Sequence, residues 1–174
     1  MNPARRDVLI LGGVAVAAAA AGGVVGALAL QSRSGAAELL ASSFPDLSGR
    51  ARRLTEWQGR TLVCNFWATW CAPCREELPL LDAAQQQHKR NGLQVLGIGI
   101  DSGPNIREYL KIVKISYPVL IGEVSAIHLM RNLGNRSGGL PFTVAMDRHG
   151  TIRHRKLGAY SQAELSAELA TLLR

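Results

Sequence analysis

The sequence predicts an α/β domain built around a mixed β-sheet. Three observations carry this. Strand-like and helix-like segments alternate from about Thr61 onward. The run Leu93-Gln94-Val95-Leu96-Gly97-Ile98-Gly99-Ile100 is short and almost wholly apolar, as a strand buried on both faces must be. Two strand-like runs joined by Asp147-Arg148-His149-Gly150 precede the final helix, which brings an antiparallel hairpin into the sheet.

The N-terminus comes first in order. Arg5-Arg6 precede an uncharged stretch from Val8 to Leu30, rich in Ala, Gly, Val and Leu. A basic start followed by an apolar run marks an export segment, here long enough to span a bilayer as a helix. Three outcomes fit: an uncleaved anchor over residues 8–30, cleavage at Ala27-Leu28-Ala29, or twin-arginine export. Each places the remainder of the chain outside the cytoplasm, periplasmic in a bacterium with two membranes. Residues 1–30 are therefore taken as a signal or anchor that meets the inner membrane. Residues 31–43 read as a flexible or weakly helical linker, and residues 44–174 as the folded domain.

Within that domain, Leu54 to Gly59 reads as a short strand or turn leading into a core strand, Thr61 to Trp67. A helix follows from Ala72 to about Arg90, stopped by Asn91-Gly92, with Pro79 expected to kink it. After the buried run, Asp101-Ser102 caps a helix that reaches about Lys114. Tyr117 to Ile121 is a short strand and Val124 to Leu133 a short helix. The loop Gly134 to Gly139 leads to strands Phe142 to Met146 and Ile152 to Leu157. The last helix opens on the capping box Ser161-Gln162-Ala163-Glu164.

Hydrophobic residues make up 47% of the chain, enough for a substantial core. A formal charge of +7 invites a nucleic-acid reading. The cations are scattered, however, between Arg50, Arg52, Arg53 and Arg60 in one stretch and Arg153, Arg155 and Lys156 in another. Aromatics that would stack on bases are few, so nucleic acid is excluded as a partner in favour of a solvated basic surface, one suited to anionic lipid.

Chemistry concentrates at Trp70-Cys71-Ala72-Pro73-Cys74-Arg75. Two thiols at this spacing, at the start of a helix, cycle between dithiol and disulfide. Unpaired backbone N–H groups at the helix N-terminus favour a thiolate on Cys71, which is assigned the attack on a substrate disulfide. Cys74, one turn in, resolves the mixed disulfide, and Pro73 between them biases the redox potential. Cys64 alternates with Leu62 and Phe66 on one strand face and reads as a buried core residue. A closed zinc site wants four ligands, and there is neither a second CxxC nor an HxxxH, so no metal is assigned. Glu77, three residues beyond Cys74, has two readings from position alone: a proton-exchanging acid beside the thiols, or an ordinary first-turn carboxylate. Pro141 likewise is either a cis proline at a sharp re-entry or a simple trans strand initiator.

The stretch Asn65-Phe66-Trp67-Ala68-Thr69-Trp70-Cys71-Ala72-Pro73-Cys74-Arg75-Glu76-Glu77-Leu78-Pro79 resembles the thioredoxin superfamily, most closely its TlpA/ResA-like branch of exported thiol–disulfide oxidoreductases. The strand end Gly99-Ile100-Asp101 and the segment from Gly139 to Gly150 match as well. The resemblance implies a thioredoxin-like fold with a central mixed sheet flanked by helices. It also implies a branch-specific strand–helix insertion between about Ile106 and Leu133. It makes Pro141 cis and facing the disulfide, with the Leu140 backbone binding an extended substrate segment. Glu77 becomes the branch's buried active-site acid, while Asn65 stands where thioredoxin carries an Asp. Trp70, Pro73 and Asn65 are grouped with it as active-site support.

The expected activity is reduction of substrate protein disulfides, with no cofactor beyond the Cys71–Cys74 pair. The implied partners are a client protein with a disulfide or thiol pair and a membrane thiol-transporting reductant. Clients in this branch include apocytochrome c and copper-site proteins. A copper-binding metallochaperone using the same two thiolates is the alternative, since thiolates suit Cu(I); Gly138-Gly139-Leu140-Pro141 offers it no further ligand. A thiol peroxidase, which places Pro and Thr ahead of its cysteine, is excluded by Cys64 and Ala68.

Overall fold

The computed structural model describes residues 35–174. The expected signal or anchor, with its hydrophobic helix, lies outside the described residues. Among those described, no helix is long and apolar enough to cross a membrane.

The expected α/β architecture is present. Five strands form one sheet in the order β5-β4-β3-β6-β7: β3 (Thr61–Trp67), β4 (Leu93–Gly99), β5 (Val119–Ile121), β6 (Phe142–Met146) and β7 (Ile152–Leu157). β3 runs parallel to β4, and β4 to β5, whereas β6 is antiparallel to both β3 and β7. All seven residues of β3 and of β4 are buried, which explains why neither reads as a polar–apolar alternation.

Helices cover both faces. Leu62, Cys64 and Phe66 of β3 pack with Leu96, Ile98, Leu129 and Met130, under helix α4 (Glu123–Asn132). Val63 and Trp67 point the other way. They pack with Leu78 and Leu81 of α2 (Ala72–His88), Ile106 of α3 (Gly103–Ile112), and Leu165 and Leu169 of α5 (Gln162–Leu172). The two-residue period of β3 thus decides which side chains meet α2, the helix that carries the cysteines. β5 and α4 lie within residues 106–133.

One expectation needs correction. Residues 35–41, read as part of a flexible or weakly helical linker, form a helix (α1) that belongs to the core: Ala36 and Leu39 are buried beside Phe44 and Leu133. The compact unit begins at Gly35 rather than Phe44. Apolar side chains at 36, 39 and 40 supply one face of a short helix, a pattern too brief to stand out beside the Ser and Gly that precede it. Of the strand or turn expected over Leu54 to Gly59, the turn forms. β1 (Ser43–Pro45) and β2 (Ala51–Arg53) pair as a separate hairpin, and the chain then makes a 3-10 turn over Leu54–Trp57. That turn directs Leu54 and Trp57 inward, where both are buried.

Candidate active site

β3 ends at Trp67, and the loop Ala68–Trp70 delivers Cys71 to the first turn of α2. Cys71 is the N-cap residue: its extended backbone precedes the helix, and its Sγ accepts from the Cys74 N–H at 3.3 Å. Pro73 lies in the first turn, where its missing N–H has no intrahelical partner to lose. Cys71 and Cys74 are joined as a disulfide. Cys71 keeps 6% of its surface exposed and Cys74 none, so an approaching reagent meets Cys71. Trp70 beside it stands 68% exposed. Thr69 donates its hydroxyl to Asp101, which also accepts from the Ser102 N–H and the Asn105 amide, and this ties the cysteine loop to the start of α3.

Cys64 sits on the opposite face of the sheet from the pair, and burial pushes its thiol up to about 12. It stays protonated and out of reach.

One turn beyond Cys74, Glu77 points into the interior and is 1% exposed. Its Oε1 accepts from the Tyr160 backbone N–H at 2.8 Å, and its Oε2 from Asn65 Nδ2 at 2.9 Å. Asn65 Nδ2 also donates to Thr143 Oγ1 at 2.9 Å, across the register pair Asn65–Thr143 that joins β3 to β6. Asn65 Oδ1 has no partner among the described residues. Burial is the largest influence on Glu77 and raises its carboxyl above the ordinary value; the Tyr160 amide, the Asn65 amide and the Lys156 charge oppose it and do not prevail. A buried acid with elevated proton affinity therefore stands one turn along α2 from a buried sulfur.

Leu140-Pro141 closes the site from β6. The peptide bond is cis, and Leu140 packs against the cluster that contains Cys71 and Cys74. The register Phe66–Phe142 carries Pro141 to the end of β3 from which the cysteine loop departs. The structure thus brings together Asn65, Cys71, Cys74, Glu77, Leu140 and Pro141, with Trp70 and Pro73 on the outer surface.

Sequence reasoning missed Tyr160, Thr143 and Asp101 as partners of this group. Tyr160 contributes a backbone N–H, which no side-chain identity announces. Thr143 and Asp101 stood inside recognised stretches, yet only the strand register and the loop crossing reveal what they touch.

Comparison with known proteins agrees with this geometry. The family description Redoxin matches residues 35–172, which include α1. The thiol–disulfide oxidoreductase ResA of Geobacillus thermodenitrificans is 24% identical over 128 residues, covering 73% of this chain and 71% of that protein. The thioredoxin-like protein YneN of Bacillus subtilis is 27% identical over 73% of this chain and 74% of its own. A thiol:disulfide interchange protein of the thioredoxin family from Chlorobium tepidum superposes with a TM-score of 0.68 at 26% identity, over 76% of this chain and 93% of that one. The fold is thioredoxin-like, and the chain belongs to the Redoxin family as a TlpA/ResA-like member of the thioredoxin superfamily.

Proposed function

We propose that this thiol–disulfide oxidoreductase acts outside the cytoplasm as a reductase of client protein disulfides, with Cys71 as nucleophile, Cys74 as resolving thiol and Glu77 as the proton acceptor between them. The observation that carries the reading is the graded exposure of the pair. Cys71 keeps a small accessible surface, 6%, at the N-terminus of α2, while Cys74 has none and lies beneath it with a buried acid one turn on.

In the dithiol form, the backbone N–H groups of the first helical turn favour a thiolate at Cys71. That thiolate attacks one sulfur of the client disulfide. A Cys71–client disulfide forms, the client S–S bond breaks, and the departing client sulfur takes up a proton. Cys74 then loses its proton to Glu77 and attacks Cys71 Sγ. The Cys71–Cys74 disulfide forms as the second client thiol departs, so two electrons pass from the protein to the client.

Glu77 suits this duty because its neighbours tolerate both of its protonation states. As a carboxylate it accepts from Asn65 Nδ2. Once protonated it becomes a donor, and a half-turn of the Asn65 amide presents Oδ1 to it, while the Thr143 hydroxyl rotates to donate. An Asp at position 65 would set two carboxyl groups against each other; an amide does not.

The Leu140 backbone, beside the cysteines, would pair with an extended client segment, and Trp70 would offer it an apolar contact. Trp70, Pro73 and Asn65 thus act as support, and no cofactor is required beyond the disulfide. The strand–helix pair β5–α4 agrees with a TlpA-type insertion. The apolar run over residues 8–30 supports placement in the periplasm, held at the inner membrane or released by cleavage near Ala29. A membrane thiol-transporting reductant would return the two electrons. Apocytochrome c or a copper-site protein would be the client.

The test is turnover of a peptide disulfide by the reduced protein. Cys71→Ser is expected to abolish it, and Cys74→Ser to accumulate a mixed disulfide detectable by mass. Undiminished turnover by Cys71→Ser would overturn the assignment.

A further inference from the structure

The segment from Gly158 to Ser161, which joins β7 to α5, makes contacts in two directions. Inward, the Gly158 N–H donates to the Pro141 carbonyl at 2.8 Å and the Tyr160 N–H donates to Glu77 Oε1 at 2.8 Å. Outward, the Tyr160 hydroxyl donates to Glu168 Oε2 at 2.6 Å, and His154 Nε2 lies 3.3 Å from the same oxygen. Lys156 Nζ sits 5.2 Å over the Tyr160 ring and 2.9 Å from Glu164 Oε1. The tyrosine is therefore gripped at its hydroxyl and on its ring face from the surface, while its backbone serves the interior.

The oxidoreductase mechanism asks nothing of Glu168 or His154. Their geometry nevertheless bears on Glu77. Gly158 adopts a φ of 91°, open to glycine at little steric cost, which turns the segment just before Tyr160. A phenol has only two side-chain torsions. Fixing its far end on Glu168 therefore restricts where its own backbone amide can point.

We propose that Tyr160 is a positioning residue for Glu77 and that Glu168 acts through it: the part-buried phenol–carboxylate bond fixes the amide from which Glu77 accepts inside. The proposal rests on the reading of Glu77 as the proton acceptor for Cys74, and adds the surface contact that tunes it. Burial and the Glu168 hydrogen bond hold the Tyr160 phenol well above its ordinary range, so it remains a donor at every working pH. The charged or titratable groups facing Glu77 and Tyr160 are Lys156 and His154 on β7, Glu164 and Glu168 on α5, Tyr117 ahead of β5, and the cysteine pair on α2.

The direction of the effect separates positioning from simple electrostatics. Deleting a nearby negative charge by itself makes Glu77 easier to ionise and lowers its titration midpoint. Releasing the Tyr160 amide does the opposite, because the carboxylate loses a donor.

The experiment is a 13C carboxyl titration of Glu77 in the oxidised full chain, with the resonance assigned by its loss in Glu77→Gln. Tyr160→Phe and Glu168→Ala are each expected to raise the midpoint, by roughly half a pH unit or more, and the double variant no further than either single one. Glu168→Gln, whose amide oxygen still accepts the phenol, is expected to leave the midpoint unchanged or lower it. A midpoint that stays put or falls in Tyr160→Phe or Glu168→Ala overturns the proposal, as does a double variant that shifts by the sum. Should Glu168→Ala not fold, Tyr160→Phe alone decides. Disulfide exchange measured on the same samples keeps the two readings apart: loss of all exchange in the wild type sinks the mechanism, while the titration still tests the positioning.

Discussion

Replacing Glu77 by Gln should make the oxidised protein more stable, and by an amount that grows with pH. The side chain is buried, and burial holds its carboxyl above the ordinary glutamate value of 4.5. The folded state therefore keeps this proton more tightly than the unfolded chain does. Stability from the neutral acid is complete below about pH 4.5 and is lost as pH rises through the folded-state midpoint. One proton sets the limit on the slope, about 1.4 kcal/mol per pH unit. Gln fits the same space: its Oε1 accepts the Tyr160 N–H, and its amide donates to Asn65 Oδ1 once the Asn65 amide turns over. The assay is guanidinium unfolding of the oxidised wild type and variant between pH 4 and 8, read as the difference between them. Subtraction removes groups such as Glu164. The Ser161 N–H first, and then Lys156, hold that carboxyl down at about 2, so its contribution runs the other way and is lost only as pH falls. The difference should be flat at the acid end, climb with a slope no steeper than the one-proton limit, and level off once Glu77 ionises in the native state. A difference independent of pH, or one that shrinks as pH rises, refutes the argument that burial dominates at Glu77.

Leu39→Ala should destabilise the protein by about 2–5 kcal/mol in the same unfolding assay, because Leu39 is fully buried in the core; an exposed linker residue would cost almost nothing. Asn65→Leu keeps the volume but strips Glu77 Oε2 of its donor and Thr143 of its partner, an expected loss of about 2–4 kcal/mol at neutral pH that narrows on acidification. Trp70→Ala should change stability by less than about 0.5 kcal/mol, since the ring is mostly exposed, while raising the KM for a peptide disulfide.

Legibility in advance depended on how local each signal was. β3, β6 and β7 matched residue for residue, because a short apolar run and a turn tetrapeptide each act over a few positions. α2 ended in a 3-10 turn over Lys89–Asn91 before Gly92, whose φ of 88° supplies the expected stop. α1 and the β1–β2 hairpin were missed because each is short and stable only against the rest of the core. Their signal is tertiary: Phe44, Leu39 and Leu54 converge from three separate segments. At the site, Cys71, Cys74 and Glu77 follow one another at three-residue steps along the start of α2; the spacing made the cysteine pair legible, and Glu77 gained its role only with the family resemblance. Tyr160 is 83 positions from Glu77 and reaches it through its backbone, so composition and spacing carried no trace of it.

The proposed roles of the two sulfurs depend on an electrostatic difference that the fold builds from neighbours of opposite sign. Cys71 is the N-cap of a 17-residue helix, where backbone N–H groups lower the energy of a thiolate. Cys74 lies in the dry interior, where burial opposes a thiolate and an ionised Glu77 opposes it further. In the proposed dithiol state negative charge therefore collects at the outer sulfur, and the proton at the fully buried one. Once Cys71 is consumed in a mixed disulfide, the stored proton must leave Cys74 for the second attack, and Glu77 is the buried carboxylate one turn away. Elevated proton affinity at Glu77 is then an asset, because an acid held at its ordinary value would accept a thiol proton less readily. The burial that destabilises the carboxylate is what fits it to the step.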